Sequence, residues 1–532
     1  MQRSYDVVFV GSGVSSTYTL IHYADSLRQR VRCRESRVLV VEKSGDFWTG
    51  VAYGSRSGIG SLIISPLKEF LPPGELERFT GWLDLNRDHV FDEFRLRGGC
   101  LAQRWLDKNS AAIRTGDWEN LYIPRHVFGD FLANRAKSAI AEASGRGLLS
   151  CDLLTAEVLS VQKLRDSYFV QARTADDAEL RIETAKVILA VGSPPKRQLA
   201  APADSVAGAC LIADSHDPCL DETTRRLLTT FQSLPATVPR NVLLVGSNAS
   251  ALEVVYNLFS NSTLAEELDT VYVISPSGAP DHWTEARNKS TERGFEPRYI
   301  RTLAPDYRAR DIYQAVQQDV ALAKSQGFTR GDTVATISAL LMSLVDGLSQ
   351  AEQRKFVTTY GEAIGRIQRR AGGEYSELAT RLISEGRIEF IAGKFIRAAA
   401  GDKGGISFWY CDDRPPGDRR PLAECSISDE KEQHPAQLAA VINCTGFQDL
   451  GETSSTLIQS LMASGVCVPT GSRRGFSVNE EFECAEGLYL IGPLLAGNLN
   501  RRLRVWHAES CSRLFQYSLN LGSILGGLSI GG

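Results

Sequence analysis

The sequence lacks the marks of several common classes of protein. Its eleven cysteines include no C-x-x-C pair, which argues against a structural zinc site and against a dithiol oxidoreductase. Lys and Arg number 59 against 63 Asp and Glu, so there is no basic field for nucleic-acid binding. No run of about 18 apolar residues is present, so no helix is expected to span a bilayer.

The cellular location is also indicated by absences. An odd number of scattered cysteines is typical of reduced thiols in a reducing compartment. The first apolar strand begins within a few residues of Met1, which leaves no room for a signal peptide. We therefore expect a cytoplasmic globular protein that binds no metal and no membrane, and its 532 residues suggest about three domains.

Two segments of the chain share one design: an apolar strand, a glycine turn, and apolar residues at helical spacing. The first reads YDVVFVGSGVSS at 5–16, and the second reads NVLLVGSNASA at 241–251. Each is followed by another apolar strand, RVLVVEKS at 37–44 and TVYVISPSG at 270–278. Such β-turn-α-β units bind dinucleotides in doubly wound folds. We therefore predict an α/β chain with two Rossmann-like dinucleotide-binding domains.

The first turn has the chemistry of a dinucleotide cradle, although its third glycine is missing. Gly11 permits the tight turn, Gly13 lets the backbone approach a pyrophosphate, and Ser16 is small enough to replace a glycine. The following helix offers its positive N-terminal end to the phosphates. Glu42, at the end of the second strand, is placed to accept hydrogen bonds from a ribose. The predicted contacts are Gly11, Gly13, Ser15, Ser16, Glu42 and Lys43.

The second turn has small residues wherever a pyrophosphate must come close. Its following strand ends in Ser275 rather than in an acid that would bind a 2′-hydroxyl, and Arg287, Arg293 and Arg298 come after it. This pattern favours NADPH over NADH. The alternative for either turn is a structural unit that binds nothing. The predicted contacts are Gly246, Asn248, Ala249, Ser250 and Ser275.

The chain returns late to the first domain. GLYLIGPLLAGNLNRR at 487–502 contains a strand, the pair Gly492–Pro493 and a glycine loop, and it predicts a helix from about Leu499 to Leu519. In a flavoprotein with two dinucleotide domains such a turn lies beside the isoalloxazine, where a helix N-terminus favours the charge of the reduced flavin. We therefore predict a split FAD domain. Further predicted contacts follow this and two other strands: Gly192, Gly446, Gly492, Pro493 and Asn498.

The patterns between the turns predict the domain boundaries. Residues 1–215 would form the first part of the FAD-binding domain, and residues 216–300 the NADPH-binding domain. A helical insertion is predicted at 301–385, where apolar residues recur at three- and four-residue spacing. Residues 386–532 would return to both domains and close the flavin site. The insertion could supply a lid or the surface of a homo-oligomer.

Several stretches in this order resemble one family. They are GSGVSS at 11–16, TGVAYG at 49–54, YIPRHVFGDFL at 122–132, AVGSPP at 190–195, VGSNASALEVV at 245–255, ISPSGAPDHW at 274–283, NCTGF at 443–447 and IGPLLAG at 491–497. The set is similar to the bacterial FAD/NAD(P)-binding flavoprotein monooxygenases, which include FAD-dependent urate hydroxylases and nitrosuccinate-forming aspartate N-monooxygenases. The resemblance implies cofactor contacts at Gly50, Val51, Tyr53 and Arg125. The chain departs from it at SLIISPLKEFLPPGE and at Ser275–Pro276.

The resemblance implies a reaction that uses FAD, NADPH and O2. NADPH would reduce the flavin, and a C4a-hydroperoxyflavin would deliver oxygen to a small-molecule substrate. No C-x-x-C pair for disulfide reduction and no ligand set for haem or an iron–sulfur cluster is visible. We therefore predict a flavin-dependent monooxygenase that N-hydroxylates a small polar amino acid, such as an acidic, aspartate-like one.

Candidate substrate contacts follow the last glycine loop. Arg501 and Arg502 could bind carboxylates bidentately, with Asn500 beside them. Lys68 in SPLKEF is a candidate for a contact near the flavin. The alternative for the arginines is a solvated helix face or pairing with acids. No catalytic base can be named, since the seven histidines do not cluster.

Two other functions remain open. The first is carbon hydroxylation of a purine-like compound such as urate, which is an anion and would also suit the arginines. The second is a flavin-binding redox sensor without oxygenase activity.

Overall fold

A computed structural model of the protein describes residues 3–30, 34–199, 210–284, 294–369, 371–401, 405–411, 432–506 and 511–528. Within them the strands are β1 (Arg3–Val10), β2 (Ser36–Glu42), β3 (Leu149–Thr155), β4 (Glu157–Lys163), β5 (Tyr168–Arg173), β6 (Glu179–Leu189), β7 (Cys210–Ile212), β8 (Val242–Val245), β9 (Val271–Ser275), β10 (Ile388–Ala392), β11 (Lys394–Ala400), β12 (Ile406–Cys411), β13 (Glu432–Gln433), β14 (Ala440–Asn443), β15 (Glu483–Ala485), β16 (Leu488–Leu490), β17 (Asn498–Leu499) and β18 (Arg504–Val505).

The helices are α1 (Val14–Arg28), α2 (Gly50–Tyr53), α3 (Leu67–Phe70), α4 (Pro73–Val90), α5 (Asp92–Arg97), α6 (Gly99–Thr115), α7 (Arg125–Gly145), α8 (Leu220–Ser233), α9 (Ala249–Ser260), α10 (Ser262–Glu267), α11 (Ala309–Ser325), α12 (Arg330–Gly347), α13 (Gln350–Lys355), α14 (Gly361–Ile367), α15 (Gly373–Ser384), α16 (Thr456–Ala463) and α17 (Cys511–Leu525). A π-helical turn, Phe356–Tyr360, joins α13 to α14, and short 3-10 turns lie at Ser55–Ser57, Asp281–Trp283, Ile300–Thr302 and Pro493–Leu495. None of the described helices is long and apolar enough to cross a bilayer.

The first domain is built on a sheet with the strand order β15, β16, β6, β1, β2, β3. The strands from β16 to β3 are parallel, and β4 and β5 extend the sheet from β6 as an antiparallel pair. Val7, Val8, Phe9 and Val10 of β1 are all buried, as is usual for a parallel strand with both faces covered. The carboxyl ends of β1, β6 and β16 therefore meet at one edge of the sheet, where ligands bind in such folds.

The second domain is a parallel sheet with the order β10, β9, β8, β14, β7. One of its two edge strands, β7, falls within residues 1–215, the range predicted for the first part of the FAD-binding domain. Because β7 pairs with β14 through Cys210–Ala440 and its neighbours, the second domain begins no later than Cys210. A separate antiparallel sheet of β11, β12 and β13 extends from it.

The helical insertion comprises α11 to α14 and has a core of its own. Ile312, Val316, Ile337 and Leu341 are buried together in it. The predicted block continued to residue 385, but α15 packs instead against α9 and belongs to the main core. The insertion is therefore shorter than predicted, and α15 is part of the second domain.

The C-terminal segment differs most from the prediction. A helix is expected from about Leu499, but residues 498–505 form the antiparallel hairpin of β17 and β18, and the described part of the helix is α17. Trp506, which follows the hairpin, is buried in the core of the insertion and packs on Phe356. The helix itself lies along α1, where the ring of Phe515 meets Tyr18 at 4.6 Å between centroids. Its N-terminus therefore does not follow directly on the Gly492 turn.

Candidate functional site

The first glycine turn lies where β1 ends and α1 begins. Gly11 has a φ of +92°, and a Cβ on it would lie 2.4 Å from the carbonyl oxygen of Ala190. Its N–H donates to the carbonyl of Val41 at 2.8 Å. Because neighbouring strands crowd this residue from both sides, only glycine fits.

Glu42 anchors this turn through its carboxylate. One carboxylate oxygen accepts hydrogen bonds from the N–H and the hydroxyl of Ser12 at 2.9 and 3.3 Å. The other accepts from the N–H and the hydroxyl of Ser44 at 3.0 and 2.8 Å. The acid predicted to reach a ribose therefore lies beside the turn, and its contact with a ribose stays a prediction.

Two further predicted turns converge on the start of α1. Gly50 has a φ of +63°, and a Cβ on it would lie 2.8 Å from the Cα of Gly13. Gly492 has a φ of +92°, and a Cβ on it would lie 3.3 Å from the hydroxyl of Ser15. Segments that are far apart in the sequence thus form one surface. We call the surface formed by residues 11–16, 49–54 and 492–493 the first cradle.

The side chains predicted at the first cradle have different surroundings. Ser16 is buried in the first turn of α1, and Val51 of α2 is 46% exposed. Pro493 begins a 3-10 turn directly after Gly492. Tyr53 packs its ring into the core, at 5.0 Å from the ring of Phe128, so it supports the cradle from inside.

The two predicted lysines make contacts within the protein. The ammonium of Lys43 pairs with Glu157 at 2.8 Å, and its side chain is 72% exposed. Lys68, exposed on α3, donates to the side-chain oxygen of Asn120 at 2.8 Å. A contact of either lysine with a ligand stays a prediction.

The second glycine turn lies between β8 and α9. Gly246 has a φ of +108°, and a Cβ on it would lie 2.5 Å from the carbonyl oxygen of Cys444. Its N–H donates to the carbonyl of Ile274 at 2.8 Å. Asn248 is the N-cap of α9, and Ala249 and Ser250 form its first turn. We call residues 246–251 the second cradle.

The residues predicted to select NADPH over NADH do not form a described site for a 2′-phosphate. The hydroxyl of Ser275 donates to the carbonyl of Gly278 at 2.9 Å, so it is engaged in its own turn. Arg287 and Arg293 lie outside the described residues, and Arg298 is exposed at the start of the insertion. The preference for NADPH over NADH stays a prediction.

Trp283 and His282 pack beneath the second cradle. Trp283 is fully buried, and its indole N–H donates to the carbonyl of Ser247 at 3.0 Å. Burial, together with the charges of Arg369 and Arg330, lowers the pKa of His282 to about 4, so this imidazole is neutral at neutral pH. The sequence signal for this support is the ISPSGAPDHW element.

A buried ion pair joins the two domains. Arg125, the first residue of α7, donates to Glu253 of α9 at 2.8 Å and to the carbonyl of Leu62 at 2.9 Å. The side chains of Arg125 and Glu253 are only 15% and 5% exposed. Burial opposes ionisation of Glu253, but Arg125 and His216 outweigh it and lower its pKa to about 2. The structure thus gives Arg125 an interdomain contact, and its predicted contact with a cofactor stays a prediction.

The chain passes between the two domains twice, and the two connecting segments lie side by side next to the cradles. The N–H of Gln448 donates to the carbonyl of Pro195 at 2.8 Å, and the N–H of Arg197 donates to the carbonyl of Gly446 at 3.1 Å. A Cβ on Gly446 or on Gly192 would meet no described atom within 4 Å. Both predicted glycines therefore face open space at this crossing.

The asparagines after the last turn have structural roles. The side-chain N–H2 of Asn498 donates to the carbonyls of Phe476 and Leu495, both at 2.8 Å, and its oxygen accepts from the N–H of Val478 at 3.0 Å. The side-chain N–H2 group and oxygen of Asn498 are therefore both bound to the backbone, and the predicted contact of Asn498 with a cofactor stays a prediction. Asn500 accepts from two N–H groups of its own turn, of which that of Leu503 lies at 2.8 Å.

The arginines of the β17–β18 hairpin differ in their partners. Arg504 forms a bidentate ion pair with Asp346 of α12, at 2.8 and 2.6 Å. Arg501 is exposed and Arg502 is half-buried at the tip of the β17–β18 hairpin, and neither forms an ion pair with any described residue. The contact of Arg501 and Arg502 with a substrate carboxylate stays a prediction.

A cavity of about 70 Å³ lies where the first domain, the end of the second domain and the insertion meet. Ile64 and Tyr122 line it from the first domain, His282 from the second, and Thr329 from the insertion. The Nε2 atom of His282 is buried and has no hydrogen-bond partner among the described residues. The predicted substrate contacts are not among its lining residues: Lys68, Asn500, Arg501 and Arg502.

Both cradles fit the diphosphate of a dinucleotide. At each, the first glycine adopts a positive φ, and an added Cβ would meet a carbonyl oxygen. At each, the following helix begins without a side-chain cap, with Gly13 or Asn248 as the N-cap residue. The free N–H groups of the first helical turn are therefore available to an anion.

Comparison with known proteins agrees with this geometry. Residues 8–194 match a family model described as FAD-NAD(P)-binding. The chain is 16% identical to the ornithine hydroxylase of Pseudomonas aeruginosa, with a TM-score of 0.53 and 99% of each chain covered. It is also 16% identical to an ornithine N-hydroxylase of Kutzneria sp. 744, solved with reduced FAD, NADP+ and L-ornithine, with a TM-score of 0.52 over 98% of this chain and 99% of that one. These likenesses confirm the predicted α/β fold with two dinucleotide-binding domains.

Closer relatives are found among mycobacteria. Uncharacterized proteins of Mycobacterium bovis and Mycobacterium tuberculosis are 31% identical to the chain over 527 residues, which is 98% of this chain and 95% of theirs. The match therefore includes both cradles, the insertion and the C-terminal helix. The chain belongs to the same family as these mycobacterial proteins, and its residues 8–194 match the FAD-NAD(P)-binding model.

Proposed function

We propose that the protein is an FAD- and NADPH-dependent monooxygenase that hydroxylates the nitrogen of a small polar amine or amino acid. The observation that carries the proposal is the pair of cradles, which the Arg125–Glu253 ion pair joins through α9. When bound, the flavin supplies the redox chemistry between NADPH and O2. The full-length fold likeness to two ornithine hydroxylases supports nitrogen as the site of hydroxylation.

The chain's own residues have three tasks in this reaction. The first cradle holds one dinucleotide through the backbone at Gly11 and Gly13, and the second holds the other at the start of α9. The first domain, the insertion and His282 of the second domain line a cavity, and a substrate held there would be shielded from water. A nitrogen can accept oxygen only as the free amine, so the site must favour the deprotonated form, as burial does.

The cavity at the meeting point of the three parts is the best candidate for the substrate. His282 presents a neutral, buried nitrogen there, which can form a hydrogen bond with a polar group of the substrate. Arg501 and Arg502 could approach a carboxylate only from the hairpin tip, outside this lining. A compact amine with one polar group is therefore the favoured substrate class.

The proposal is tested by measuring NADPH oxidation with panels of amino acids, amines and purines, with product masses read alongside. We expect purified protein to be yellow, to be bleached by NADPH without air, and to add one oxygen atom to an amine substrate. One added oxygen on the carbon of a purine would instead support the urate-type reaction. A reduced flavin that persists in air would support a redox sensor and contradict the proposal.

A further inference from the structure

One arginine of the helical insertion reaches the second cradle. Arg369 lies two residues beyond the end of α14, and its guanidinium donates to the side-chain oxygen of Asn248. Asn248 stands at the second glycine position of the turn, where backbone and pyrophosphate come closest in dinucleotide-binding folds. The insertion therefore contacts the second cradle at the point where phosphates would lie.

The start of α9 has unused hydrogen-bond donors beside this contact. An Asn at an N-cap usually accepts a hydrogen bond from the N–H of the second or third helical residue. Asn248 makes no such bond, and the N–H groups of Ala249 and Ser250 have no partner within the described parts of the chain. Unused donors at a helix N-terminus bind anions.

The charge of Arg369 is not balanced by an acid. No described Asp or Glu forms an ion pair with it, while burial and the neighbouring Arg366 lower its pKa. The carboxylate of Glu362 raises the pKa of Arg369, but Glu362 is already paired with Arg474 at 3.3 Å. A half-buried guanidinium of this kind is stabilised by an anionic ligand.

The neighbouring side chains do not supply that anion. Arg330 is paired with Asp281, which also binds Lys324 at 3.4 Å. The buried imidazole of His282 is neutral, since burial, Arg369 and Arg330 lower its pKa to about 4, and its Nε2 atom has no hydrogen-bond partner among the described residues. Among the described residues, Arg369, Arg330 and Lys324 therefore face only one carboxylate in these contacts, that of Asp281.

We propose that Arg369 binds the diphosphate group of NADPH at the second cradle, so that the helical insertion completes the co-substrate site. The inference rests on the proposed function, since it assumes that NADPH binds at the second cradle. The diphosphate is common to NADPH and NADH, so Arg369 contributes affinity for both and does not select between them.

The test is calorimetric titration of NADP+ and NAD+ into the FAD-loaded protein. We expect Arg369→Ala to weaken both ligands by a similar factor, about 10- to 100-fold, because one charge-assisted hydrogen bond is lost. Arg369→Lys should recover part of the loss. Arg366→Ala is the matched control, since it removes the same charge from a residue that is 57% exposed, and it should leave both affinities unchanged.

The outcomes separate this inference from the proposed function. If the FAD-loaded wild type binds neither nucleotide, both fail. If the wild type binds NADP+ and Arg369→Ala behaves like Arg366→Ala, only the inference is overturned. A loss confined to NADP+ would also overturn it, because Arg369 would then contact the 2′-phosphate.

A second measurement needs no variant, in case Arg369→Ala loses its flavin or does not fold. Phenylglyoxal modifies arginine guanidinium groups, and modification of Arg369 in the wild-type holoprotein can be followed by peptide mass mapping. We expect ADP to protect Arg369 and AMP, which lacks a diphosphate, not to protect it. Equal modification with both ligands would overturn the inference.

Discussion

The two cradles follow one plan but are built from different parts of the chain. At the first, Gly13 and Gly50 approach each other closely, and every contact comes from the first domain. At the second, Asn248 replaces the second glycine, and its side chain is held by Arg369 of the insertion. A ligand at the first cradle would therefore meet the backbone of one domain only. A ligand at the second cradle would also meet a side chain of the insertion.

This comparison is tested most strongly at the first glycine of each cradle. We expect Gly11→Ala to abolish FAD binding, and Gly246→Ala to abolish NADPH binding while FAD is kept. The reason is that the new Cβ would lie 2.4 or 2.5 Å from a carbonyl oxygen, at a positive φ. Bound flavin is measured by absorbance, and NADP+ affinity by calorimetry.

The control for both variants is Gly81→Ala in the exposed middle of α4, where a Cβ meets no described atom within 4 Å. It should raise the free energy of unfolding by about 1 kcal/mol and leave both ligands bound. A yellow Gly11→Ala protein with unchanged flavin affinity would show that the first turn does not hold FAD.

The contact that joins the cradles gives the next largest effect. Glu253→Ala leaves Arg125 buried without its partner, and we expect it to lower the free energy of unfolding by about 3–5 kcal/mol. Urea unfolding measures the change. Lys43→Ala is the matched control, because its ion pair with Glu157 is exposed and is worth about 1 kcal/mol or less. An effect of Glu253→Ala no larger than the control's would contradict the role assigned to this pair.

The same carboxylate makes stability depend on pH. The pKa of Glu253 is about 2 in the folded protein and about 4.3 in an unfolded chain. Because folding lowers it, the stabilisation is present above about pH 4.3 and is lost as the pH falls towards 2. We expect the difference in unfolding free energy between wild type and Glu253→Gln to shrink over this range in urea titrations. A difference that grew on acidification would have the wrong sign.

The smallest effect is expected at the hairpin tip. If Arg501 and Arg502 contact a substrate carboxylate, Arg501→Ala with Arg502→Ala should raise KM about 10-fold and change the free energy of unfolding by less than about 0.5 kcal/mol. Arg504→Ala is the control from the same hairpin. It breaks the ion pair with Asp346, so it should lower stability and leave KM unchanged. An unchanged KM in the double variant would show that these two arginines do not contact a substrate carboxylate.

Sequence patterns predicted the local structure correctly where a residue's role depends on its immediate neighbours in the chain. Gly11 and Gly246 follow apolar strands, and the structure shows the tight turns that this pattern predicts. Glu42 ends β2 beside the turn, as an acid at that position should. These features were predictable because strand, turn and helix start lie within a few consecutive residues.

The prediction failed where distant contacts decide the local structure. The segment after Gly497 has helix-forming residues, yet Asn500 closes a turn and Trp506 is buried in the insertion, so a hairpin forms instead. The signal that could have been used is the Asn-Leu-Asn sequence, since asparagine favours turns. Arg125 was likewise interpreted without its partner, because Glu253 is distant in the sequence and meets it only through packing of α9 on the first domain.

By itself, the sequence determined the two nucleotide turns, the α/β class and the late return to the first domain, since all of these rest on periodicity and on glycine's freedom at positive φ. The tertiary structure alone decided which charges meet. It paired Arg125 with Glu253 and Arg504 with Asp346, and it left Arg369 at the second cradle with no ion pair to any described acid. The reason is that ion pairing depends on which surfaces fold together, and neighbours in space are not encoded by spacing along the chain.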